Sequence, residues 1–150
     1  MNCSKLQYSN IEKDFLKAVQ FIDEKKNAEA IELLEKIISE KPDFIEAYVN
    51  LTYLYTEKNL ARAEQYGNKA VGLISENDTV FKKNNIHSQA YINLSYIFIK
   101  RYKSYMKSDR YKDASASLIK AIQLLKRGSS LTDSSDYSAT IEKLETFMRE

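Results

Sequence analysis

The stretch Lys100-Arg101-Tyr102-Lys103-Ser104-Tyr105-Met106-Lys107-Ser108-Asp109-Arg110-Tyr111-Lys112 carries the strongest chemical signal of the chain. Cations interleaved with tyrosines can track phosphates while stacking bases, or attract an acidic protein or a membrane surface. Tyr102, Tyr105 and Met106 also recur at helical spacing, so the simpler reading of 100–112 is a helix face whose long side chains reach into solvent. A nucleic-acid adaptor built on this segment is the lesser alternative. Catalytic chemistry has little to stand on. His87 is the only histidine and falls beside Ser88 and Gln89 near an expected helix start, where a capping or exposed role is the expectation. Cys3 sits near the N-terminus with no base beside it in sequence. The acidic residues Asp23, Glu24, Glu29, Glu32 and Glu35 follow the solvent faces of helices. The chain contains no glycine-rich phosphate loop, nucleophile elbow or HExxH spacing. We therefore expect no enzyme, no catalytic residue, no cofactor and no metal site.

Composition narrows the class. Hydrophobic residues make up 43% and charged residues 29% of 150, enough for a packed core in one domain spanning 1–150. One proline and three glycines argue for helix nearly throughout. The 23 Lys and Arg against 21 Asp and Glu leave a net charge of +2, too small a field to imply nucleic acid by itself. A single cysteine forbids an internal disulfide, and no apolar run approaches the roughly 18 to 20 residues of a membrane span. The N-terminus lacks a hydrophobic signal core, so a cytoplasmic location is expected; a trimmed lipoprotein beginning near Cys3 is the alternative, with no lipobox visible to support it.

Helix signals divide the chain. Ser9-Asn10-Ile11-Glu12 reads as a capping box opening a helix from about Asn10 to Lys25, with Phe15, Ala18, Val19, Phe21 and Ile22 inside it. Asn27 is placed to cap a second helix carrying Ala30, Leu33, Leu34, Ile37 and Ile38, which Lys41-Pro42 stops. Asp43-Phe44-Ile45-Glu46 reads as another capping box, followed by Tyr48, Leu51, Leu54 and Tyr55 on a packing side. After Asn59 come Ala63, Tyr66, Ala70, Val71 and Ile74. The polar residues from Ser75 to Asn85 predict a long loop, and Lys126-Arg127-Gly128 predicts a helix stop before a Ser- and Asp-rich linker. Ile141, Leu144, Phe147 and Met148 then form the apolar stripe of a last helix, about 136–149.

One helix-pair signature occurs three times: Ala30-x3-Leu34-x2-Ile37, Ala63-x3-Gly67-x2-Ala70 and Ala114-x3-Leu118-x2-Ala121. With Ala18, Phe21 and Pro42 in the first copy, Tyr48, Leu51, Thr52 and Tyr55 in the second, and Tyr91, Leu94, Ser95 and Phe98 in the third, the pattern resembles the tetratricopeptide repeat, a helix-turn-helix of about 34 residues. The resemblance implies an all-α, right-handed α-solenoid of three hairpins at about 11–44, 45–76 and 86–127, with 136–149 as a C-terminal capping helix. Departures from the pattern carry their own expectations. Gly67 replaces a bulky residue, leaving a gap to be filled from elsewhere or closed tightly. The third copy is stretched between Tyr91 and Ala114 by about two helical turns, which keeps the same side inward and predicts a projecting third pair.

In this family the first helix of each pair lines a concave surface. Transferred through the matched positions, the resemblance places Phe15, Val19, Val49, Asn50, Tyr53, Ile92, Asn93 and Tyr96 on that surface as partner-binding residues. It implies a protein-interaction module holding a partner peptide or helix in an apolar, tyrosine-rich groove, with Asn50 and Asn93 bonding the partner's backbone or making intramolecular bonds. Self-assembly, or a chaperone-like hold on unfolded clients, is the competing expectation. One branch of the family grips a terminal carboxylate with Lys, Asn and Arg; here Phe15, Val19, Gln89 and Asn93 stand where most of those donors would be and only Asn50 matches. A carboxylate wants charge-assisted donors, so no such clamp is expected.

Overall fold

A computed structural model describes residues 3–76, 85–131 and 136–149 of the chain. Among these residues there are seven helices and no strand: α1 (Cys3–Asp23), α2 (Asn27–Glu40), α3 (Ile45–Tyr55), α4 (Leu60–Glu76), α5 (Asn85–Lys107), α6 (Tyr111–Leu131) and α7 (Asp136–Arg149). They pack as hairpins α1/α2, α3/α4 and α5/α6, joined through α2 on α3 and through α5 on both α3 and α4, with α7 against α6. The result is an all-α solenoid of helix hairpins closed by a last helix.

Every residue of the threefold signature is buried. Ala30, Leu34 and Ile37 in α2, Ala63, Gly67 and Ala70 in α4, and Ala114, Leu118 and Ala121 in α6 all face the core. Small residues let paired helices approach, and Leu34 and Leu118 fill the space that remains. At Gly67 the space is taken from the next hairpin. A Cβ built there would lie 2.8 Å from Cδ1 of Leu94 and 3.3 Å from Cγ2 of Thr52, so α5 fills the position that a side chain would otherwise occupy. The third pair is longer than the second, as expected: α5 has 23 residues against 11 in α3.

Several boundaries differ from the sequence expectation. Helix α1 begins at Cys3, upstream of the expected capping box, so Ser9 lies within the helix. Asn27 is the first residue of α2, not its cap; Lys26 holds that position without a side-chain bond. At α3 the cap position belongs to Phe44, again without a side-chain bond, while Asp43 pairs with Lys41 at 3.3 Å. Asn59 caps α4, its Oδ1 accepting the backbone N–H of Arg62 at 3.0 Å. Helix α6 runs through Gly128 to Leu131. Gly128 serves approach, not termination: a Cβ there would sit 2.7 Å from both Cε1 and Oη of Tyr137. The loop expected after Ser75 and the linker before Asp136 lie largely outside the described residues.

Tyr137 fixes α7 in place. Its ring is fully buried and its hydroxyl donates to the Ser88 carbonyl at 3.0 Å, tying the closing helix back to α5. A second tie joins the first two hairpins. Glu35 Oε1 of α2 accepts from the hydroxyls of Tyr55 and Tyr66, each at 3.0 Å, and lies 3.3 Å from Nη2 of Arg62. Burial, then the bond to Glu35, pushes the Tyr66 hydroxyl up to about 12.

Candidate functional site

The inner faces of α1, α3 and α5 form a groove made of two adjoining clefts. The larger, about 490 Å³, lies between the C-terminal end of α3 and the middle of α5; Tyr53, Leu54, Thr56, Ile92 and Tyr96 line it, with Asn27 contributed from the start of α2 and Glu57 and Lys58 from the turn after α3. The second, about 460 Å³, is bordered by Ile22, Asp23 and Lys25 from the end of α1, by Val49, Asn50 and Tyr53 from α3, and by Ile86 from α5. Tyr53, Gln89 and Asn93 line both, so the two clefts meet at these residues.

Tyr53 and Tyr96 are 58% and 47% exposed, though each sits on a helix that is otherwise largely buried. Two large aromatic rings left half in water beside an apolar floor are the kind of surface that marks recognition. Polar groups near them are mostly committed to the fold. Asn93 Nδ2 donates to the Val49 carbonyl at 3.3 Å, a bridge between α5 and α3, and Asn93 Oδ1 accepts from Gln89 Nε2 at 2.6 Å. Asn50 Nδ2 donates to the Glu46 carbonyl at 2.8 Å. Thr56 is buried and donates to the Thr52 carbonyl at 2.7 Å.

Of the residues expected on the concave surface, Tyr53, Ile92, Asn93 and Tyr96 come together in the larger cleft, and Val49 and Asn50 join Tyr53 and Asn93 in the smaller. Val49 is only 3% exposed and acts as floor. Phe15 and Val19 line neither cleft; both are half-buried, and Phe15 meets Phe44 edge to face with centroids 5.3 Å apart. Sequence reasoning missed Asn27, the first residue of α2, and the turn residues Glu57 and Lys58. Their presence at the site depends on where each hairpin turn falls along the neighbouring helix, and no repeat position encodes that.

In the basic stretch Tyr102 and Tyr105 have ring contacts, while Tyr111 is exposed. Tyr102 stacks on Phe147 at 6.5 Å between centroids, and the Arg110 guanidinium lies 4.5 Å from the Tyr105 centroid. Bases would have to displace these contacts to stack on Tyr102 or Tyr105. Among the described residues no cluster of His, Cys, Asp and Glu could hold a metal ion, and no helix is long and apolar enough to cross a membrane.

No family model matches the sequence, and no curated protein matches it. Among solved structures, the N-terminal domain of stress-induced protein-1 (STI-1) from C. elegans is similar, with a TM-score of 0.65 and 19% identity over 93% of this chain and 97% of that one. At that identity the likeness speaks for the fold alone, a stack of helix hairpins.

Proposed function

We propose that the chain is a tetratricopeptide-type interaction module that seats a segment of a partner protein in the groove between α3 and α5. The observation that carries this reading is the pair of half-exposed tyrosines, Tyr53 and Tyr96, lining one apolar cleft. Rigid aromatic side chains give large contact area at small entropic cost, so they suit the centre of a binding surface. The partner buries an apolar side chain against Ile92 and Leu54 between the two rings. A longer segment continues over Tyr53 and Val49 toward Ile22, Val19 and Phe15, which share one face of α1. Asn50 uses its amide N–H internally and retains Oδ1 to accept a partner backbone N–H; Asn93 is a weaker candidate for that role because both of its polar ends are engaged.

The same groove does not suit a terminal carboxylate. Lys25 and Lys58 stand at opposite clefts, and no arginine lines either, so the convergent fork that holds a carboxylate is missing. The decisive variant is Tyr53→Ala with Tyr96→Ala. Loss of about 2 kcal/mol per ring weakens partner capture roughly thirtyfold each, while helicity and melting temperature hardly change because both rings are solvent-facing. Equal loss of fold and capture would make the two tyrosines core residues and end this reading.

A further inference from the structure

The groove wall does not end at Tyr96. Gln89, Asn93, Tyr96, Lys100, Lys103 and Lys107 succeed one another on α5 at alternating intervals of four and three residues, a spacing that keeps them on one narrow face of the helix. The first three line the larger cleft. Lys100 stands above Tyr96 on the same face, and its Nζ reaches Oε1 of Glu57, a cleft residue, at 2.6 Å. The next residue, Arg101, about 100° further round the helix, pairs with Glu64 of α4. Both pairs join α5 to the α3/α4 hairpin, and α5 continues beyond Arg101 to Lys107.

Lys103 and Lys107, in the last turns of α5, are exposed and make no ion pair with described residues. Lys58, beside the cleft, makes none either. The nearby acids are already engaged: Glu57 with Lys100, Asp113 with Arg110 at 2.8 Å, and Asp109 as acceptor for the Tyr111 hydroxyl at 2.7 Å. An apolar cleft therefore opens, past the Lys100–Glu57 pair, onto two lysines with unspent charge, Lys103 and Lys107.

We infer that the groove selects partner segments in which an apolar anchor is followed by a run of Asp or Glu, the anchor seated between Tyr53 and Tyr96 and the acidic side chains lying along Lys103 and Lys107, past the Lys100–Glu57 pair. This rests on the groove reading above and adds the partner's chemistry. From Tyr96 to Lys107 the helix rises about 16 Å, the length of about five extended residues. Lysines on flexible stems act as separate point charges, suited to several side-chain carboxylates in a row, not to one chain terminus. A polyanion that stacks its bases on the open rings of Tyr53, Tyr96 or Tyr111 is the competing occupant, and the RNA arm of the test below separates it.

Selection of random internal segments of about a dozen residues displayed against the full chain tests this, that length spanning cleft and lysine row together. The expected winners carry an acidic run on one side of an apolar residue, lose affinity as salt rises, and bind about tenfold more weakly to Lys103→Glu with Lys107→Glu. Both lysines are exposed, so the melting temperature of that variant should match the parent. Winners that need Tyr53 and Tyr96 but show no acidic enrichment, or ignore the charge reversal, overturn this inference and leave the groove reading standing. Winners indifferent to Tyr53→Ala and Tyr96→Ala, or none at all, overturn both. Single-stranded RNA bound as tightly as the selected segments, and lost in the lysine variant, also overturns it.

Discussion

Single atoms decide how close these helices lie, and the glycines show it. Gly72 has nothing within 4 Å of where a Cβ would stand, and it sits in the exposed interior of α4. Gly72→Ala should therefore stabilise the chain by about 0.5–1 kcal/mol, the ordinary helix-propensity difference. At Gly67 the same change meets a leucine methyl at 2.8 Å, which can swing but is itself buried, so the propensity gain and the packing cost should roughly cancel. Gly128→Ala collides at 2.7 Å with a rigid, buried tyrosine ring and should cost about 2 kcal/mol. Urea denaturation should rank the three variants in that order, and a Gly128 variant as stable as the Gly72 one would refute the close approach to Tyr137. The signature alanines were legible in the sequence because each is small at a fixed interval. The role of Gly128 was not, since Lys-Arg-Gly is a good local stop and the tyrosine that requires the glycine belongs to the next helix.

Helix ends were the least legible elements, and the reason is physical. Helix α1 closes with Lys25 N–H on the Ile22 carbonyl at 3.0 Å and Lys26 N–H on the Phe21 carbonyl at 2.8 Å, leaving Lys25 at φ 61°. The same pair of bonds ends α5, with Asp109 at φ 55°. Glycine normally takes this left-handed position, and neither site advertises it. Lys25→Gly should raise stability by about 1 kcal/mol, and Asp109→Gly by less because Asp tolerates that conformation. Thermal melts of the two variants decide it; a destabilised Lys25→Gly would mean that the lysine stem contributes packing worth more than the strain.

Between elements, the Glu35 cluster predicts a pH response. The folded Tyr66 hydroxyl lies near 12, above its ordinary value of 10. Its stabilising contribution is complete below pH 10, where the hydroxyl is protonated folded or unfolded. As pH rises from 10 to about 12 the unfolded chain ionises first, and that contribution is lost. Tyr66→Phe should lower stability at pH 8 by about 1 kcal/mol and flatten the decline above pH 10 relative to the parent, as followed by denaturant midpoints across pH. An unchanged alkaline slope would remove Tyr66 as the responsible group.

At the scale of the whole molecule, the hairpins could be read from the recurring small residues and the resemblance they carry, even where Gly67 replaces the bulky one, whereas the groove could be read only in part. Tyr53, Ile92 and Tyr96 were legible from repeat position. The cleft they line was not, because its depth comes from Asn93 bridging to α3 and from turn residues whose placement depends on how far one hairpin slides along the next. A stack of this kind is held by neighbouring interfaces, so damage at one end should stay there. Helix α7 is joined mainly through α6 and through the Tyr137 bond to Ser88. Tyr137→Ala removes a buried ring and should cost about 3–5 kcal/mol locally. Amide exchange should then quicken throughout α7 and the last turns of α6, while α3 and α2, which lie beyond α5, keep their protection. Uniform loss of protection from α2 to α7 would show the chain to unfold as one cooperative unit, and the groove between α3 and α5 would then be no more independent of the closing helix than α6 is.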